Sequence, residues 1–328
     1  MRQRVFERGL RTGTVLTLLL LLVGAVVANH YSYGAAQEQP RYGGTLVLGQ
    51  AGDPPMIIPF HAFLLGSSCT GLVYQALVMA DFDMKMIPTL AESWQISADG
   101  KTYTFKLRSG ILWNDGKPFT SADVKFSMEE GTLKLHPNRS ALAMIDKIEA
   151  PDQGTVVFTL KYPFAPFLKA LAFYGAIIPK HIFEGTDILQ NPRGWDNPVG
   201  TGPFMLKTSV KGSHWEFVRN PRYFKKGQPY LDRVIVKVIP DASVRTLALV
   251  KGEANYLPIT LPLHEVDRVN KTEGARVTFS GSEASQIHVM LGLNLRRPPF
   301  NDVRVRQALA YALDKDAILK KASFGYGR

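Results

Sequence analysis

Apolar and polar residues alternate with a period of two at several places along the chain, and each such stretch predicts a strand with one face turned to a core. Leu46 and Leu48 share a face between residues 44 and 50, and the loop Gly52-Asp53-Pro54-Pro55 ends that strand. Tyr103, Phe105 and Leu107 alternate with Thr104, Lys106 and Arg108, and Asp99-Gly100 supplies the turn chemistry that pairs this strand with Trp94-Gln95-Ile96 as a hairpin. Val156, Phe158 and Leu160 predict another strand, and Val234, Val236 and Val238 do the same after the polar turn Gly227-Gln228-Pro229. A further strand is expected over Ile287, Val289, Leu291 and Leu293.

The helical signals have a different spacing. Thr120 followed three residues later by Asp123 resembles a capping box and opens a helix over residues 124–130. After Pro298-Pro299, Asn301 or Asp302 caps a helix expected to run to Lys321, with Val305, Ala308, Leu309, Ala312 and Leu313 on one stripe. Arg304 and Arg306 in its first turn are expected to pair with nearby carboxylates. Strands and helices are interspersed, so the fold class is α/β.

The N-terminus reads differently from the rest. Arg2, Arg4, Arg8 and Arg11 precede an uncharged apolar stretch from Thr14 to Ala28, the pattern of a signal peptide. That stretch falls short of the roughly 18 residues expected of a membrane span. Cleavage is expected near Gly34, Ala35 and Ala36, with Val26 to Ala28 as a second region and an uncleaved anchor as the alternative. No cysteine lies there, so no lipid anchor is expected, and the product is expected in the periplasm, free or tethered.

Composition narrows the function classes. With 45% hydrophobic and 20% charged residues the chain can build a conventional core, and its 328 residues suggest about two domains. The single cysteine excludes an intrachain disulfide. The net charge of +11 is scattered rather than run together, four of the arginines sit in the signal segment, and no nucleic-acid partner is expected.

Candidate chemistry is sparse. The seven histidines include no His-x-x-x-His pair, so no metal is expected. Gly200-Thr201-Gly202-Pro203 lacks the Lys-Ser/Thr of a phosphate loop and reads as a tight turn. No Gly-x-Ser-x-Gly elbow is present, and Cys69 reads as a small core residue. Asp53, Glu92 and Asp115 could form a hydrolytic pair, but sequence gives no distance between them. No cofactor is expected, and the chain reads as a non-enzyme.

Four blocks resemble the family 5 extracellular solute-binding proteins, the peptide-, dipeptide-, oligopeptide- and nickel-binding components of ABC importers. The most specific runs from Leu90-Ala91-Glu92-Ser93-Trp94 through Asp99-Gly100-Lys101, Trp113, Asp115-Gly116 and Pro118-Phe119-Thr120-Ser121-Ala122-Asp123-Val124. The second is Pro198-Val199-Gly200-Thr201-Gly202-Pro203-Phe204 with Trp215, Asn220-Pro221 and Gly227-Gln228-Pro229-Tyr230-Leu231-Asp232. The others are Gly43-Gly44-Thr45-Leu46 with Asp53-Pro54, and Asn294 with Pro298-Pro299-Phe300-Asn301-Asp302-Val303-Arg304.

The resemblance implies a periplasmic-binding-protein-like class II two-lobed clamp, here mainly the first lobe with only the start of the second. The implied division is a signal peptide over 1–36, a first lobe over 37–285 with an inserted subdomain at about 75–160, and an inter-lobe strand and first helix over 286–328. It implies capture of a peptide, or of a nickel chelate, opine or sugar, by a monomer that serves the permease subunits of an ABC importer. The residues it implies for ligand binding are Gly52, Asp53, Pro54 and Tyr74, with His288, Met290, Gly292 and Asn294 on the strand between lobes. The resemblance also leads one to expect aspartate where this sequence has Asn255. Two rival readings are a secreted, membrane-anchored hydrolase using an Asp/Glu pair and a non-catalytic, chaperone-like envelope protein.

Overall fold

A computed structural model describes residues 40–54, 56–60, 67–258, 261–279 and 291–326. The chain divides into Met1–Arg41, of which only the exposed Pro40 and Arg41 are described, and a compact unit Tyr42–Arg328. The strands of this unit are β1 (Thr45–Gln50), β2 (Val78–Ala80), β3 (Met86–Pro88), β4 (Ala91–Ile96), β5 (Thr102–Leu107), β6 (Ile145–Asp152), β7 (Thr155–Leu160), β8 (Phe204–Val210), β9 (His214–Arg219) and β10 (Arg233–Val238). The helices are α1 (Ser67–Val73), α2 (Ser121–Phe126), α3 (Phe167–Tyr174), α4 (Lys180–Phe183), α5 (Ala242–Val250), α6 (Val266–Asn270), α7 (Val303–Ala312) and α8 (Lys315–Ala322). None of the described helices is long and apolar enough to cross a membrane, and the stretch from Thr14 to Ala28 lies outside the described residues.

Two sheets build two hydrophobic cores. The first sheet has the order β1-β10-β9-β8, with β1 parallel to β10 and the other pairs antiparallel. Its register aligns Leu46 with Val234 and Val234 with Phe217, and Leu48 with Val236 and Val236 with Trp215. The alternation seen in the sequence therefore becomes two apolar rows running across the sheet into one core. The second sheet, β4-β5-β7-β6, is antiparallel throughout. The predicted hairpin is present, with Trp94 opposite Phe105 and Ile96 opposite Tyr103. Asp99 takes the Ser97 hydroxyl and the Lys101 N–H in the turn, and Gly100 adopts a positive φ of 68°. Phe105 and Phe158 are fully buried, contact each other edge to face, and each burial is worth roughly 1.5–3 kcal/mol. Trp113 lies fully buried in the same core, while Trp94 packs on its edge.

Helix α2 starts where the Thr120/Asp123 pair predicts. The Asp123 carboxylate accepts the Thr120 N–H at 2.9 Å, which relieves one of the orphan donors at the helix start. The helix does not continue as regular α-helix to residue 130: Ser127–Thr132 is π-wound, and a last turn follows at Leu133–Leu135. Gly131 explains why this winding is tolerated. The Phe60 ring lies against its backbone, where any Cβ would sit. Pro137 then forces His136 into extended backbone and ends the helix.

The C-terminal expectation needs correction in three respects. The helix expected over 302–321 is two helices, α7 and α8, because Asp314 leaves helical geometry and its carboxylate caps the Ala317 N–H at 2.9 Å. Asp302 is the cap of α7 and pairs with Arg304, but Arg306 donates to the carbonyls of Phe300 and Asn301 instead of a carboxylate. Of the strand expected over 287–293, residues 287–290 lie outside the described residues, and Leu291 and Leu293 are not in a strand.

Two measurements test this packing. Gly131→Ala places a methyl group in the Phe60 ring. Overpacking should outweigh the gain in helix propensity and lower stability by about 1–3 kcal/mol in urea unfolding. An unchanged midpoint would show that the ring can move away. His136 is buried, accepts the Asn138 N–H on Nδ1 at 2.9 Å, and burial holds its pKa below the usual 6.5. Its neutral form is favoured only in the folded chain, so its contribution is complete above pH 6.5 and is lost as pH falls from there toward the lower folded value. His136→Asn keeps an acceptor without the titration, so the difference in stability between wild type and variant should shrink between pH 6.5 and 5. Parallel stability curves would count against the assignment.

Candidate functional site

The loop that follows β1 is positioned from both sides. Strand β1 ends at Gln50, whose carbonyl accepts the Ile239 N–H at 2.7 Å just beyond β10. The Gln50 side chain is 1% exposed and its amide donates to the Gly52 carbonyl at 2.8 Å, which curls the chain toward Asp53. One carboxylate oxygen of Asp53 then accepts the Gly212 N–H at 2.8 Å, and the other accepts the Trp215 indole N–H at 3.0 Å. Both donors belong to the β8–β9 hairpin. Asp53 therefore spends its two oxygens on fixing the loop to the sheet. Pro54 is buried behind it.

Beyond the loop, Ile57, Ile58 and Phe60 are buried, and the N–H groups of Ile57 and Ile58 both point at the Gly194 carbonyl. Next to the hairpin lies an open cleft of about 440 Å³ lined by Gly212, Ser213, His214, Ile235, Lys237, Val238 and Ile239. Gly212 is shared between the cleft and the clamp on Asp53. The 52–54 loop thus stands beside an accessible depression and is held by charge-assisted hydrogen bonds.

Tyr74 belongs to the core beneath this region. It is 3% exposed, burial drives its phenol upward in pKa, and its hydroxyl has no partner among the described residues. The neighbouring segment 200–203 is packed backbone to backbone on the end of α1. A Cβ on Gly200 or Gly202 would strike the carbonyls of Val73 or Leu72, and the Gly202 N–H donates to Val73 at 2.8 Å. This is a close-packed turn whose donor points inward, not a phosphate cradle. Thr201 is 1% exposed with an unpartnered hydroxyl. Cys69 is fully buried, and burial pushes its thiol up to about 12, so it is an inert core group.

Of the other residues expected at the site, Gly292 and Asn294 lie in an exposed, non-strand segment. The Asn294 side chain accepts the Arg296 N–H at 3.1 Å, and among the described residues no hydrogen bond from Gly292 or Asn294 reaches the 52–54 loop. His288 and Met290 lie outside the described residues. The residues missed by sequence reasoning are Gln50, Gly212 and Trp215. Gly212 and Trp215 are more than 150 residues from the aspartate they hold, as the separation of 159 between Asp53 and Gly212 shows, so only the sheet register brings them there.

The carboxylates considered for hydrolysis have separate surroundings. Asp115 faces His181 at 2.8 Å; partial burial opposes its ionisation, but the hydrogen bond from His181 holds it below the usual carboxylate range. Glu92 is exposed on β4, and no hydrogen bond joins any two of Asp53, Glu92 and Asp115. Among the described residues no three His, Cys, Asp or Glu side chains gather as a metal site. Asn255 uses its side-chain oxygen to accept the Val47 N–H at 2.8 Å while its own N–H donates to the Val47 carbonyl at 2.7 Å. A carboxylate could fill the same acceptor role.

The chain is similar to several known proteins. The family model described as bacterial extracellular solute-binding proteins, family 5 Middle, matches residues 85–328. The glutathione-binding protein GsiB of Pectobacterium atrosepticum is 36% identical over 264 residues, which is 77% of this chain and 48% of that protein. The dipeptide-binding protein of Escherichia coli is 34% identical over 74% of this chain and 48% of its own length. The solved structure of the oligopeptide-binding protein AppA from Bacillus subtilis, in complex with a nonapeptide, superposes with a TM-score of 0.74 at 29% identity, covering 88% of this chain and 57% of that one. The chain spans about half the length of the curated relatives it matches.

Asp53→Asn offers one acceptor and one donor to two N–H groups, so one bond must fail. The expected loss is about 1–2 kcal/mol in urea unfolding, accompanied by a changed Trp215 fluorescence. A variant with wild-type stability and emission would show that the clamp does not hold the loop.

Proposed function

We propose that this chain, which belongs to the family 5 bacterial extracellular solute-binding proteins, captures peptides or related small solutes and delivers them to the permease subunits of an ABC importer. The observation that carries this reading is the fixed 52–54 loop beside an open cleft, in a fold shared with a protein solved around a nonapeptide. A loop ordered before the ligand arrives saves the entropy of ordering it on binding. Extended peptides suit such a surface, because main-chain pairing accepts many side chains.

In this reading the whole protein is a two-lobed clamp that works by enclosure and without chemistry, as a periplasmic monomer with no nucleic-acid partner. Gly52, Asp53 and Pro54 border the ligand's approach, with Asp53 orienting the loop. Tyr74 supports the loop from the core. His288, Met290, Gly292 and Asn294 contribute from the segment that leads toward the second lobe.

Thermal unfolding of the purified chain with di-, tri- and longer peptides, glutathione, a nickel–histidine chelate and oligosaccharides tests the reading. Peptide at one hundred times its Kd should stabilise by about 2.7 kcal/mol, and mass spectrometry should recover the ligand unchanged. Recovery of a cleaved product, or stabilisation by sugars alone, would overturn it.

A further inference from the structure

The cleft beside the β8–β9 hairpin carries its polar groups as donors. Lys237 of β10 and His214 of β9 are direct partners in the antiparallel register, so their side chains leave the same face of the sheet, and both line the cleft. Ser213 joins them from the turn, with its hydroxyl 3.0 Å from His214 Nδ1. When that hydroxyl donates to Nδ1, the ring proton sits on Nε2 and the imidazole is a further donor. The other side chains of the lining, those of Ile235, Val238 and Ile239, are apolar.

No carboxylate lines the cleft, and the acids around it are engaged elsewhere. Asp53 spends one oxygen on the Gly212 N–H and the other on the Trp215 indole. Glu216, two residues beyond His214 on the same face of β9, stands 3.2 Å from Lys207 and 3.5 Å from Arg233. Among the described residues neither Lys237 nor His214 enters an ion pair. A lone exposed lysine needs no partner, because water solvates it. Lys237 differs in sharing a concave, largely apolar lining with an imidazole and a hydroxyl, where an anion meets several donors at once.

We infer that this cleft receives the carboxylate end of a captured peptide, with Lys237 as the cation, His214 and Ser213 as neutral donors, and the apolar lining against the last side chain. The inference rests on the peptide-capture reading and adds to it which end of the ligand lies here. One permanent cation matches the single negative charge of a carboxylate, whose two oxygens accept from the ammonium and from a second donor. The amino end of a peptide, itself a cation, would meet only donors. A volume of about 440 Å³ lies low in the range of roughly 300–1,000 Å³ found for ligand pockets, which suits a terminal residue or two and not a whole oligopeptide. Gly212 belongs both to the cleft and to the clamp on Asp53, so a peptide anchored here by its carboxylate continues past the 52–54 loop.

Titration calorimetry of the full chain with alanyl-leucine, alanyl-alanyl-leucine and tetra-alanyl-leucine, each as the free acid and as the C-terminal amide, tests the assignment. The wild type should bind the acid about tenfold or more tightly than the amide, the effect of one hydrogen bond to a charged group. Lys237→Met keeps the apolar stem and removes the charge, so it should weaken binding of the acid, leave that of the amide unchanged and abolish the preference. Lys237→Arg should retain the preference, as should Lys226→Met, an equal change of net charge outside the cleft. Lys237 is exposed, and unaltered unfolding midpoints check that the variants remain folded. Equal affinity of the wild type for acid and amide, or a preference undiminished in Lys237→Met, would overturn the carboxylate site while leaving peptide capture in place. No binding of any of these peptides would overturn both.

Discussion

Helix α2 and the π-wound stretch that continues it serve two cores at once, and the polar groups they carry between them tie those cores together. Val124 and Met128 point into the core of the second sheet, and Phe126 into the core of the first. Between these faces lie Asp123 and Ser127, both buried, where an unpaired polar group would cost several kcal/mol. Both are satisfied by the segment that leads from Ile178 into α4. Asp123 accepts the Lys180 N–H at 2.9 Å with the oxygen that the helix start does not use, and the Ser127 hydroxyl accepts the Ile178 N–H at 2.9 Å. Hydrogen bonds are directional where apolar contact is not, so this seam sets the register of the two cores. The π-wound stretch follows from the same demand. A regular helix would rotate its last turns out of one core or the other, and the extra residue per turn, with Gly131 beneath Phe60, keeps Leu133 on one side and Leu135 on the other.

The same logic joins the 52–54 loop to distant parts of the chain. Asp53, Asn255 and Asp232 each use a side-chain oxygen as if it were a backbone acceptor. Asp232 accepts the Gly44 N–H at 3.0 Å, Asn255 that of Val47, and Asp53 that of Gly212. The first two bonds satisfy donors on and just before the edge strand β1, and the third ties the loop after it to the β8–β9 turn. The loop is rigid because the strand before it is fastened along its length, not because its own sequence is stiff.

Much of the fold was legible in period and turn chemistry. The 94–107 hairpin, the strands at 156–160 and 234–238, and the start of α2 follow from alternation and capping, which act over a few residues. What failed was also local. Asp314 made a better cap than a helix interior residue, and it divided a stripe that periodicity alone joins. The site was legible only in part. Gly52 to Pro54 announces a loop, and the immersion of Tyr74 and Cys69 agrees with their apolar surroundings. That Asp53 answers to Gly212 and Trp215 depends on the pairing of β10 with both β1 and β9, a relation that no short window of sequence contains.

The parallel pairing of β1 with β10 has a temporal meaning. The register pairs Thr45 with Arg233, so β1 has no sheet partner until most of the chain has followed it from the ribosome. The second sheet, built from neighbours in sequence, can close early, while the first must wait. A nascent chain of this design keeps β1 without its sheet partner until β10 has been made.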